Sequence, residues 1–111
     1  MRQFSTTTVE QRKVFNHDFD THPMEAAWAN EAIFFIHVEE IKGKAPDLIA
    51  SVQISFDGVH WVDEGTTFSA ITTTGIFFTK VKHFGGWLRL AGKINGDAVE
   101  YKLTIHLVLK E

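Results

Sequence analysis

The chain of 111 residues contains no cysteine. A disulfide framework, a zinc–thiolate site and a thiol nucleophile are therefore excluded. It has only two prolines, Pro23 and Pro46, and one tyrosine. Basic residues are sparse and unclustered, and the formal net charge is -3. Nucleic-acid binding is driven by neutralising phosphates, so no nucleic-acid partner is expected. No stretch approaches the roughly 18 apolar residues of a membrane span. The start, Met1-Arg2-Gln3-Phe4-Ser5-Thr6, lacks the apolar run of a secretion signal. These features do not fix a location, with virion and cytoplasm the candidates, and no membrane partner is expected.

What the chain does have is aromatic bulk, with ten Phe and three Trp. Aromatic and β-branched residues suit pleated surfaces. From Val99 to Leu109, apolar Val99, Tyr101, Leu103, Ile105, Leu107 and Leu109 alternate with mostly polar residues. That period of two predicts a half-buried strand. Asn95-Gly96 precedes it, and Asn-Gly is a strong hairpin signal because its turn positions need positive φ. A two-residue turn there would pair Leu90 with Tyr101, Leu88 with Leu103, Arg89 with Lys102 and Trp87 with Thr104. Asp57-Gly58 predicts a second hairpin, with Phe56 facing Val59 and Ile54 facing Trp61. This register puts Trp61 on the apolar face and Trp87 on the face opposite Leu88 and Leu90.

Ala32 to Val38 and Gly75 to Val81 are apolar on both parities and are expected to be covered on both faces. Phe4 to Thr8 and Val9 to Phe15 are candidate edge strands, and Thr66 to Ile71 a further short one. One short helix is expected around Met24 to Ala29. Both prolines are expected in loops. Together these give about seven or eight strands in one domain over residues 1–111, an all-β antiparallel sandwich.

No constellation carries chemistry. His17-Asp18-Phe19-Asp20-Thr21-His22 is rich in ligand types, but its two histidines have opposite parity and meet no metal spacing rule. Asp57, Asp63 and Glu64 do not have the spacing of a calcium loop. His37, His60, His83 and His106 are scattered singly, and no Gly-x-Ser-x-Gly elbow is present. No metal, cofactor or catalytic residue is expected, and the chain is read as non-enzymatic. Trp87 beside Arg89 combines two residue types typical of interface hot spots. Trp87, Arg89 and Trp28 are the candidate contact residues.

Ser55-Phe56-Asp57-Gly58-Val59-His60-Trp61, followed by Phe84-Gly85-Gly86-Trp87-Leu88-Arg89-Leu90, resembles a pattern of small jelly-roll modules: a Ser-x-Asp-Gly-x-x-Trp hairpin, then a Leu-Arg strand. It is similar to short β-sandwich proteins of phages and phage-like loci and, more distantly, to discoidin-like domains. The resemblance covers about residues 51–109. The chain lacks the discoidin disulfide, and no discoidin binding residue transfers to it. The resemblance implies a structural subunit that self-associates as a homo-oligomer or decorates a phage-like capsid, tail or shell. The alternative it implies is a carbohydrate-binding jelly-roll module, with a glycan held by Trp87 or Trp28.

Overall fold

The structure is a computed structural model that describes residues 4–82 and 84–111. Seven strands follow in chain order: β1 (Phe4–Phe15), β2 (Phe19–Asp20), β3 (Met24–Glu25), β4 (Glu31–Ser55), β5 (Trp61–Thr67), β6 (Gly75–Lys82) and β7 (Trp87–Lys110). All pairings are antiparallel. The all-β antiparallel class expected from the sequence is the class observed.

Two strands dominate the architecture. β4 has 25 residues and β7 has 24, and they pair along almost their whole length. Straight, a strand of that length would span about 80 Å. The longest dimension of the molecule is 47 Å, so the ribbon bends. It bends at residues 43–46 of β4 and 95–98 of β7, where the register shifts. Gly43, Ala45, Gly96 and Ala98 have positive φ there. Such bulges bend and twist a strand without ending it.

The bend divides one sheet into two layers. In layer one, β1 pairs with Tyr101–Lys110 of β7, and Glu31–Val38 of β4 lies between β7 and β6. In layer two, β2 and β3 pair with Trp87–Gly92 of β7, and Ser51–Ser55 of β4 pairs with β5. Phe34, Ile36, Leu103, Ile105 and Leu107 of layer one are fully buried, as are Leu48, Val52, Leu88 and Leu90 of layer two. They form one cluster. With no helix among the described residues, only the other layer can cover each of these faces. Tyr101 ties the layers, its hydroxyl donating to the Ile71 carbonyl at 2.8 Å.

Several sequence expectations are corrected. Asn95-Gly96 does not reverse the chain. Gly96 does take a positive φ, but it serves the bend inside β7. The partner of Leu88 is therefore Ile54 rather than Leu103, and Arg89 faces Gln53 rather than Lys102. The β4–β5 connection is longer than two residues: Ser55 pairs with Trp61 and Ile54 with Val62. That one-residue change moves Trp61 from the apolar face to the outer face. Met24–Glu25 is a strand followed by a turn, not a helix. β6 is an edge strand with Ile76 and Phe78 exposed, so it is not covered on both faces. The candidate strand Thr66 to Ile71 shrinks to the end of β5 and one bridge between Ile71 and Leu48. Phe4 to Phe15 is one edge strand rather than two. Pro46 lies within β4, at the bulge where the ladder is already interrupted.

Candidate functional site

Strand register assembles the site on the outer face of layer two. Ser55 lies between Trp61 on one side and Trp87 on the other. In the adjacent row, Gln53 lies between Asp63 and Arg89. Residues directly opposite on neighbouring strands share a face, so two indoles, a guanidinium, an amide and a carboxylate converge there.

The Arg89 guanidinium carbon sits 4.3 Å from the Trp61 ring centroid. Its Nε donates to Gln53 Oε1 at 2.7 Å, and its Nη2 is 3.7 Å from Asp20 Oδ2. Gln53 passes the interaction on, its Nε2 donating to Asp63 Oδ1 at 3.0 Å. The planar fork of arginine suits this combination of stacking and hydrogen bonding. Arg89 keeps 19% of its side-chain exposure, so it is held in place rather than free in solvent.

The β4–β5 loop closes one end of this face. Ser55 Oγ accepts from the N–H groups of Gly58 at 2.8 Å and Asp57 at 3.2 Å, and donates to Asp57 Oδ1. Asp57 Oδ1 accepts from the N–H groups of Val59 and His60, both at 2.9 Å, while Oδ2 meets His60 Nδ1 at 2.7 Å. These bonds, the His60 N–H first, hold the Asp57 carboxyl well below the usual carboxylate range. The Ser-x-Asp-Gly-x-x-Trp sequence is thus a loop-building device. Ser55 and Asp57 satisfy four backbone donors, and Gly58 lies against the Trp87 indole, where a Cβ would come within 3.1 Å of Cε2. The loop presents Phe56 and Val59, 80% and 74% exposed, and the Phe56 ring lies parallel to the His60 imidazole.

Of the three candidate contact residues, Trp87 and Arg89 share this face, and Trp87 is half-buried, with one indole face covered by the loop. Trp28 lies in the turn after β3 and is 37% exposed. Sequence reasoning missed Gln53, Asp20 and Trp61 as members of the site. No local signal marks Gln53, because its position follows from pairing β4 with β7, strands distant in sequence.

The other polar groups are dispersed. Among the described residues, no three His, Asp or Glu side chains converge as a metal site would require. In the His17–His22 segment, Asp18 accepts from the Ile94 N–H and Asp20 faces Arg89. Glu64 accepts from the Thr66 N–H. His106 bonds Thr8, His37 is exposed, and His83 lies outside the described residues.

No protein-family model matches the chain, and no curated protein matches it significantly. The fold does match a crystal structure of the SPBc2 prophage-derived protein YomS, with a TM-score of 0.61. The match covers 100% of this chain and 96% of that protein at 7% sequence identity. At that identity the likeness is one of fold.

Proposed function

We propose that this chain is a structural subunit of a phage-like assembly, associating with itself or coating a capsid, tail or shell without catalysing a reaction. The observation that carries this reading is the distribution of apolar surface. The core is closed, yet Phe56, Val59, Val62, Ile76 and Phe78 are each more than half exposed. Contiguous apolar surface marks contact sites, and here the exposed side chains come in groups, Phe56 with Val59 on one loop and Ile76 with Phe78 on one strand. The full-length likeness to a prophage-derived fold supports the same reading. Trp87 and Arg89 give a second, more polar contact face beside the Phe56 loop, and a homo-oligomer is the simplest product.

The test is sedimentation of the purified chain over a wide concentration range, with electron microscopy of the protein alone and with co-purifying particles. Defined oligomers or decorated particles are expected. A chain that stays monomeric and binds no particle overturns the reading. The carbohydrate alternative has less support. Arg89 occupies one face of Trp61 and the Gly58 backbone one face of Trp87, so each indole offers a sugar at most its other face. A glycan array with hits abolished by Trp28→Ala would favour that alternative.

A further inference from the structure

A sheet edge presents unpaired N–H and C=O groups, and proteins usually interrupt it. Most edges of this sheet are interrupted. β2 and β3 are two residues each. β1 carries two register shifts, with Arg12 at a φ of 48°. β5 is irregular between Asp63 and Thr67, where Gly65 has a φ of 111°. β6 differs: Gly75–Lys82 stays in unbroken register with β4. Its other side has no strand partner among the described residues.

The surroundings of that free edge fit an added strand. Ile76 and Phe78 lie exposed on the outer face, with Phe78 packed beside Phe35 at 5.9 Å between ring centroids. An open groove of about 440 Å³, lined by Phe68, Ala70, Phe77 and Thr79 among others, follows the edge. An added strand could therefore place alternate side chains on the outer face and toward the groove.

We infer that β6 is a self-docking edge, on which two copies of the chain pair their β6 strands antiparallel about a two-fold axis at Phe78. This rests on the reading of the chain as a self-associating subunit. An added strand must itself offer a regular ladder, and β6 is the one unbroken edge among the described residues. Charge selects the same arrangement. β6 carries Lys80 and Lys82 and no acidic residue. Parallel pairing would stack like charges. Antiparallel pairing centred on Phe78 puts Lys80 opposite the second copy's Ile76 and diagonal to its Phe78 ring, which an ammonium favours. The two Lys80 residues are then offset along the strands by roughly 13 Å, beyond the Debye length of about 10 Å at 0.1 M salt. One such contact covers less than the roughly 800 Å² per partner of a standard interface, so it is weak in isolation.

Because the chain has no cysteine, Phe78→Cys supplies a single thiol per copy. On-axis residues of an antiparallel pair have Cα atoms about 4.5–5.5 Å apart, within disulfide range. Under mild oxidation, F78C is expected to form a covalent dimer about tenfold faster than Val14→Cys, a comparably exposed control on β1 (53% against 58%). A mixture of Ile76→Cys and Lys80→Cys chains is expected to give mainly the mixed dimer. F78C cross-linking no faster than V14C, or statistical products from the mixture, overturns the inference. If the wild-type chain still sediments as an oligomer in that case, the assembly reading stands and only this edge is wrong. If the cross-links form as stated but neither larger assembly nor particle binding occurs, the edge stands and the capsid, tail or shell role falls, leaving self-association alone.

Discussion

The Arg89 guanidinium lies over the Trp61 indole with its carbon 4.3 Å from the ring centroid, while Nε of the same group donates to Gln53. One side chain thereby fastens β7 to both β4 and β5 across the outer face of layer two. Arg89→Ala removes a charge-assisted hydrogen bond and a cation–π contact together, and is expected to lower stability by about 2 kcal/mol. Arg89→Lys keeps the charge but not the planar fork, and is expected to recover no more than about half of that loss. Urea denaturation of the three proteins measures both effects.

Asp57 gives the acid limb of stability a specific origin. Its ordinary value is 3.8, and the His60 and Val59 N–H groups, the His60 ring and the Ser55 hydroxyl favour its carboxylate form. A carboxyl whose folded pKa is depressed stabilises the fold above its unfolded pKa, and the contribution is lost as pH falls through the folded value. Asp57→Asn is expected to be less stable than wild type at pH 7, and the gap is expected to narrow steadily as pH falls below about 4. Denaturation midpoints of both proteins between pH 7 and pH 2 test this. A gap that stays constant with pH contradicts it.

Tyr101 does the converse in alkali. Burial, with a smaller push from the Asp47 carboxylate, raises its pKa from 10.0 to about 12. The folded state therefore favours the neutral phenol. This contribution is complete below the unfolded pKa and is lost as pH rises from 10 through about 12. Tyr101→Phe removes one of the two donors to the Ile71 carbonyl, which keeps the Leu48 N–H at 3.2 Å, and is expected to cost about 1 kcal/mol at pH 7. It is also expected to flatten the loss of stability above pH 10, which thermal melts across that range would record.

The bend supplies a comparison between glycines. Gly43, Gly65 and Gly96 all have positive φ, but their surroundings differ. A Cβ on Gly65 meets nothing within 4 Å, whereas one on Gly43 would come within 2.6 Å of the Ala98 carbonyl oxygen and one on Gly96 within 2.7 Å of the Ala45 carbonyl oxygen. Gly65→Ala is expected to cost about 1 kcal/mol from backbone strain alone. Gly43→Ala and Gly96→Ala are expected to cost clearly more, because backbone atoms cannot step aside. Equal losses at all three positions would show that steric crowding at the bend is not limiting.

The parts of this fold that the sequence discloses are those decided locally. The alternation from Val99 to Leu109 is a strand with one buried face, as its pattern requires. Asp57-Gly58 does mark a chain reversal, and Gly58 does need its positive φ. Asn95-Gly96 misleads because a positive-φ residue announces a change of direction without saying how large. In β7 the change is a bulge facing a matching bulge around Lys44, on a strand about fifty residues away. Trp61 is misplaced for a related reason: Ser55 and Asp57 satisfy the backbone of a five-residue loop, Phe56 to His60, and the longer loop shifts the face of everything after it. The pairing of Trp87 with Arg89 on one face is legible, but Gln53, Asp20 and Trp61 join them only through long-range register.

Because β4 and β7 each run through both layers, the layers are stitched by covalent backbone as well as by packing. A pull that drags one outer face past the other is carried along two peptide chains, with many ladder bonds loaded in shear at once. Apolar contact alone would let stacked sheets slip. Here a tug on the Phe56 loop at one face is transmitted to the β6 edge of the other through continuous strand. Load between the two outer faces is thus borne by the main chain itself and not by side-chain packing alone.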